Sequence, residues 1–171
     1  MTASVKLRLL ILFIVLGCTI GCDQTSKQIA RTKLGRLGYV TLPGGLGELR
    51  IAENSGSFLS LGSSLPEPLR VGLLTFGVGV GLLVLFGYLA RSPRLSRLSF
   101  FALALVWAGG TSNFIDRATR HGRVTDFVFL QAGPLHTGVF NAADVLIMIG
   151  VAVLAWDLWQ QGKKNPKQNP K

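Results

Sequence analysis

The sequence predicts a membrane-embedded all-α fold, four spanning helices with a small extramembrane sheet, and three observations predict it. Charged residues are 15% of the 171-residue chain against 49% hydrophobic, and mean hydropathy is +0.44. A soluble domain carries about 25% charge. Four apolar runs fall at about 5–22, 69–90, 98–115 and 142–159, each close to the length that crosses a bilayer. Between the first two, Tyr39–Leu42 and Leu49–Ala52 read as short strands around Pro43-Gly44-Gly45, a strong turn signal. The net charge of +10 does not point to nucleic acid. Its basic residues sit in short patches beside apolar runs, where they act as topology signals. One domain over 1–160 is expected, followed by a basic tail, 161–171, that reads as disordered.

The first run follows Lys6 and Arg8 and stays uncharged from Leu9 to Cys22. Leu16-Gly17-Cys18 and Ile20-Gly21-Cys22 imitate a lipoprotein processing site. Cleavage there would leave three further long apolar runs, so a retained helix is simpler. Cys18 and Cys22 share a helical face and read as packing residues. Asp23 and Lys27 follow at i, i+4, acid before base; alone they would be a surface ion pair. Ala30, Leu34 and Leu37 then fall on one face, a short amphipathic helix expected to lie along the membrane surface. Asn54 stands in the turn Glu53-Asn54-Ser55-Gly56, followed by apolar residues at 58–61 placed to touch lipid.

The second span carries Gly77 and Gly81, a small-xxx-small pair for close helix approach. A tight basic turn occupies 91–97. The third span holds Trp107 and ends at Gly109, Gly110 and Asn113; the fourth carries Trp156 and Trp159 as an interfacial belt. The short basic pieces (the N-terminus, 91–97 and the tail) are expected in the cytoplasm. The longer loops 23–67 and 116–141 are then outside.

The chemistry-bearing residues gather in those loops and at their edges. Asp126 interrupts an apolar run, Val124-Thr125-Asp126-Phe127-Val128-Phe129, which is hard to explain as a solvated loop. Asn141-Ala142-Ala143-Asp144 has the spacing of a helix N-terminal cap, and an acid there is favoured by the exposed N–H groups and the helix dipole. Asp116-Arg117 reads as interfacial charge. Taken together, Asp126 and Asp144 suit a carboxylate pair that shares one proton. The ionised partner, expected to be Asp144, takes a proton from water while the protonated one polarises a peptide carbonyl. His121 and His136 lack acidic or Cys partners at a metal-binding spacing, so no metal or other cofactor is expected. Ser26-Lys27 invites a Ser/Lys hydrolase, but adjacent residues on a helix point in different directions.

DQTSK after the first span, ENSGSF, GGTSNFIDR, GRVTDF and FNAADVLI, in that order among four spans, resemble the lipoprotein signal peptidases (signal peptidase II). The resemblance covers nearly the whole chain except the tail. It implies a multi-pass aspartic endopeptidase of the bacterial inner membrane with a periplasm-facing site and a β-cradle. Such an enzyme removes the signal peptide of prolipoproteins before a diacylglyceryl-modified cysteine. Asp126 and Asp144 match the catalytic pair. Asn54, Asn113, Arg117 and Asn141 match residues that line the site and hold the substrate backbone. Asp23 and Lys27 match a supporting motif, and Asp116 is implied to be structural. Membrane lipid and peptide inhibitors of the globomycin type are implied partners. Three departures, Ser112 where the family has Gly, a longer link at 118–121 and Phe58 one residue early, are expected to alter loop shape. The competing class is a non-enzymatic membrane scaffold or transporter subunit. A transporter places acids near the middle of its spans and shows repeat symmetry; here the acids cluster toward one end and no repeat is evident.

Overall fold

The computed structural model describes residues 3–56, 66–93 and 95–164; the apolar stretch at 58–61 and the tail from 165 lie outside them. The elements are α1 (Ala3–Leu37), β1 (Tyr39–Thr41), β2 (Gly47–Asn54), α2 (Glu67–Arg91), α3 (Arg97–Thr119), β3 (Val124–Ala132), β4 (Leu135–His136) and α4 (Ala142–Lys164). All four helices are long and apolar enough to span a membrane. Their outer faces expose Phe13, Phe76, Leu83, Val84 and Met148. Such a surface would drive aggregation in water and suits lipid.

Half of the most apolar stretch of α3 is buried, against 11%, 11% and 17% for α1, α2 and α4, so α3 is the central helix. Leu12, Leu89, Phe100, Ala104, Trp107 and Ala108 form the core around it, with Phe86 stacked on Trp107 at 5.2 Å. The closest helix contact is between α3 and α4. A Cβ at Gly109 would stand 2.8 Å from the Ala143 carbonyl oxygen, and one at Gly150 2.6 Å from that of Ala102. The expected pair Gly77 and Gly81 does not serve this purpose: among the described residues nothing lies within 4 Å of either added Cβ. Their face looks outward, and a glycine pattern alone does not say which way a helix is turned.

At the end opposite the sheet, polar side chains tie the helices. Arg8 donates to the carbonyls of Leu89 (3.3 Å) and Ser92 at the C-terminus of α2. Ser96 caps α3 by accepting the Ser99 N–H at 2.9 Å, and both hydroxyls donate to Asp157 of α4.

The first span and the expected amphipathic surface helix are one continuous helix. At 35 residues it is about 52 Å long, well beyond the ~30 Å hydrocarbon core. Its face bearing Lys27, Ala30 and Leu34 is buried while Leu37 is exposed, so this face packs inward on protein and does not lie on the bilayer. The helix stops at Gly38, whose φ of 79° and N–H bond to the Leu34 carbonyl at 2.7 Å make a left-handed cap.

The strands form an antiparallel sheet in the order β1-β2-β3-β4. Asn54 pairs with Val124, Glu53 with Thr125 and Ala52 with Asp126. Residues directly opposite share a face, and faces alternate along each strand. Asn54, Val124 and Asp126 therefore share one face; Glu53 and Thr125 share the other.

Candidate active site

Three structural ends meet at one cleft. The last turns of α3 bring Asn113 and Arg117, the β2–β3 pair brings Asn54 and Asp126, and the first turn of α4 brings Asp144. These five residues line a cleft of about 500 Å³. Its remaining wall is apolar and includes Val78 of α2 and a strip of α4 from Ile147 to Ala155.

Asn141 and Asp144 form a reciprocal cap. The Asp144 N–H donates to Asn141 Oδ1 at 3.0 Å, and the Asn141 N–H to Asp144 Oδ2 at 3.1 Å. The capping role and a place in the cleft thus belong to the same carboxylate. Asn113 Nδ2 donates to Asp144 Oδ1 at 2.9 Å. Asp126 is held by Asn141 Nδ2 on Oδ1 (2.6 Å) and by Asn54 Nδ2 on Oδ2 (2.9 Å). Asn141 Nδ2 also reaches Asn113 Oδ1 at 3.1 Å. One chain of amides therefore runs from Asp126 through Asn141 and Asn113 to Asp144.

Lys27 fixes the direction of that chain. Its Nζ donates to Asn113 Oδ1 at 3.0 Å, so that atom must be the amide oxygen and the other must donate to Asp144. Lys27 lies fully buried between Asp23 (2.7 Å) and Asp116 (2.9 Å). Asp23 accepts the Ser112 hydroxyl at 2.7 Å and the Ala143 N–H at 3.0 Å, which anchors the start of α4 to α1. Ser112 is a buried helix residue also reached by Gln24 at 3.2 Å. A change at this position alters a helix contact and not a loop. The link at 118–121 turns through left-handed backbone at His121 (φ 53°) and Gly122 (φ 78°). The Gly122 N–H returns to the Arg117 carbonyl at 2.9 Å.

Burial is the main cause that pushes Asp126 up to about 6, and the charge of Asp144 adds to it; hydrogen bonds from Asn54 and Asn141 and the charge of Lys27 pull the other way. Arg117 donates from Nη2 to the Gly56 carbonyl at 2.8 Å. Its Nε is buried with no hydrogen-bond acceptor among the described residues. The three asparagines direct amide N–H groups at the carboxylates. Ser26 donates to the Asp23 carbonyl at 2.8 Å and Lys27 is engaged elsewhere, so no Ser–Lys pair forms.

All nine residues singled out in the sequence fall in this cleft or in the buried cluster behind it. Gln24, Arg31, Glu53 and Thr125 join the same network and were not singled out. Arg31 had a readable signal: Asp23, Lys27 and Arg31 recur at i, i+4, one stripe of a helix.

A family model described as signal peptidase (SPase) II matches residues 14–160. The lipoprotein signal peptidase of Azoarcus sp. is 31% identical over 160 residues, 92% of this chain and 87% of its own. That of Moorella thermoacetica is 35% identical over 139 residues, 81% of this chain and 86% of its own. Two solved structures, described as bacterial membrane enzymes determined by the in meso method, share the fold. One superposes with a TM-score of 0.74 at 20% identity, covering 94% of both chains. The other gives 0.72 at 21% identity, covering 86% of this chain and 92% of its own.

Proposed function

Because this chain belongs to the signal peptidase II family, we propose that Asp126 and Asp144 are the catalytic pair of an aspartic, metal-independent peptidase. Family membership makes the chain a multi-pass membrane peptidase that removes signal peptides from prolipoproteins. The observation that carries the finer reading is the amide chain, which joins the two carboxylates over one cleft.

Asp144 sits at a helix N-terminus, where the dipole favours the charged form, and accepts from Asn113 and the Asn141 N–H. Asp126, pushed up to about 6 by burial, is the natural keeper of the shared proton. A water between them loses its proton to Asp144 and attacks the scissile carbonyl. Asp126 donates a hydrogen bond to the carbonyl oxygen, then supports departure of the amine. Asn54, Asn113 and Asn141 orient the carboxylates, and Arg117, which lines the same cleft, holds the substrate backbone.

The apolar strip of α4 gives the cleft a lipid-side wall. Ile147 to Ala155 spans about 12 Å of helix, room for an acyl chain or part of a signal helix to lie alongside. This supports cleavage before a diacylglyceryl-modified cysteine, with the lipid never leaving the bilayer. A cyclic peptide inhibitor of the globomycin type would occupy the same cleft. The site then faces the periplasm from the bacterial inner membrane, with both termini in the cytoplasm.

A gel-shift assay with a diacylglyceryl-modified prolipoprotein tests the reading. Cleavage should be unaffected by EDTA. Asp126→Asn and Asp144→Asn, each folded and inserted, should lose roughly 10²–10⁴ in rate. Undiminished cleavage in either variant would remove that residue from the pair, and inhibition by EDTA would replace the mechanism.

A further inference from the structure

Thr125 is bound from three directions, and two of its partners, Arg31 and Glu53, have no role in the reading above. Its hydroxyl accepts from Arg31 Nε at 3.2 Å and Nη2 at 2.9 Å. The same hydroxyl donates to Glu53 Oε1 at 3.0 Å. Its N–H donates to Asp116 Oδ2 at 3.3 Å, and Arg31 is itself 3.6 Å from Asp116. A fully buried hydroxyl thus joins α1, β2 and α3 at the residue next to Asp126.

The register gives this meeting its meaning. Glu53 and Thr125 are directly paired across β2 and β3, on the face away from the cleft. Asn54 and Asp126 are their immediate neighbours on the cleft face, joined at 2.9 Å. A slip of one residue would turn the cleft-facing set to the other side. The pairing already shifts between Leu49 and Ala52, so the ladder alone does not hold register up to the site. A hydroxyl that must accept from Arg31 and donate to Glu53 fits in one register only.

We propose that Arg31 and Glu53, acting through the Thr125 hydroxyl, are positioning residues that set the place of Asp126 against Asp144. The proposal rests on the assignment of those two as the catalytic pair. None of the three touches the cleft, so their loss moves the carboxylate without removing a substrate contact. The rate at saturation falls and KM stays near its original value.

Steady-state cleavage of a diacylglyceryl-modified prolipoprotein tests this, using the full-length protein in detergent with rates normalised to the folded fraction. Thr125→Val keeps the volume and removes the hydroxyl. It should lower kcat by about tenfold, below the ~10² that a 1 Å misplacement costs. Thr125→Ser, which keeps the hydroxyl, should recover most of the rate. Arg31→Met should resemble Thr125→Val, and the double variant should be no worse than the single, because both break one interaction. Asp126→Asn is run alongside. If it is inert while Thr125→Val keeps its kcat, the clamp is wrong and the pair stands. If Asp126→Asn cleaves, the pair itself is wrong. A loss in Thr125→Val that disappears on normalising, or that appears in KM alone, also overturns the proposal.

Discussion

Lys27 shows how differently one residue reads in sequence and in space. Its i, i+4 partner Asp23 suggests a surface pair worth a few tenths of a kcal/mol. In the fold both are fully buried, with Asp116 as a second acid on the same ammonium. Removing Lys27 leaves the two buried carboxylates without their shared ammonium, a loss of about 3–5 kcal/mol. The sequence could not reveal this, because burial of that face depends on how α1 is turned against α3. Asp126 was more legible, since a carboxylate within Val124 to Phe129 has no easy solvated explanation. Its titration gives a signed prediction. A carboxyl raised from 3.8 to about 6 favours the folded state at low pH, and that contribution is lost as pH rises through 6. The melting temperature of Asp126→Asn minus that of wild type should therefore grow between about pH 4 and pH 7. A constant difference across that range would contradict the raised value. Cleavage measured as kcat/KM should likewise decline with rising pH, with a midpoint near 6 in the free enzyme.

Among the elements, the four spans were readable from hydropathy and the hairpin from Pro43-Gly44-Gly45. The join between the first span and the polar helix after it was not. Hydropathy falls sharply at Asp23, but the backbone continues in helix because nothing there breaks it. The glycines divide in the same way. Gly109 and Gly150 let α3 and α4 touch, whereas Gly77 and Gly81 meet nothing among the described residues. Gly150→Ala should force the two backbones apart, at a cost of about 1–3 kcal/mol. Gly81→Ala should be neutral or slightly stabilising through helix propensity. Thermal unfolding in detergent separates the two. Equal effects would mean that the α3–α4 contact is not as close as described.

For the whole molecule, the polar groups divide between two ends. One end holds Arg8, the capping hydroxyl of Ser96, the Ser99 hydroxyl on Asp157, and the basic last turn of α4 at Lys163 and Lys164. The other holds the sheet, the carboxylates and the buried ion cluster. An even number of spans returns both termini to the same side, and basic flanks favour the cytoplasm. A reporter fused after Lys171 should be active only in its cytoplasmic form. Activity of a periplasm-dependent reporter at that position would invert the molecule. From Val5 to Lys27, α1 runs without a break for about 33 Å, first through lipid and then into the cluster behind the cleft. The rod that stands in the bilayer also carries the lysine that orients Asn113. Helical phase is thus common to both halves: one residue added in the lipid-embedded half would rotate the upper half by about 100° and swing Lys27 away from Asn113. The distance from the lipid-embedded half to the ion cluster is written as a residue count along a single helix, and α1 serves as the molecule's ruler.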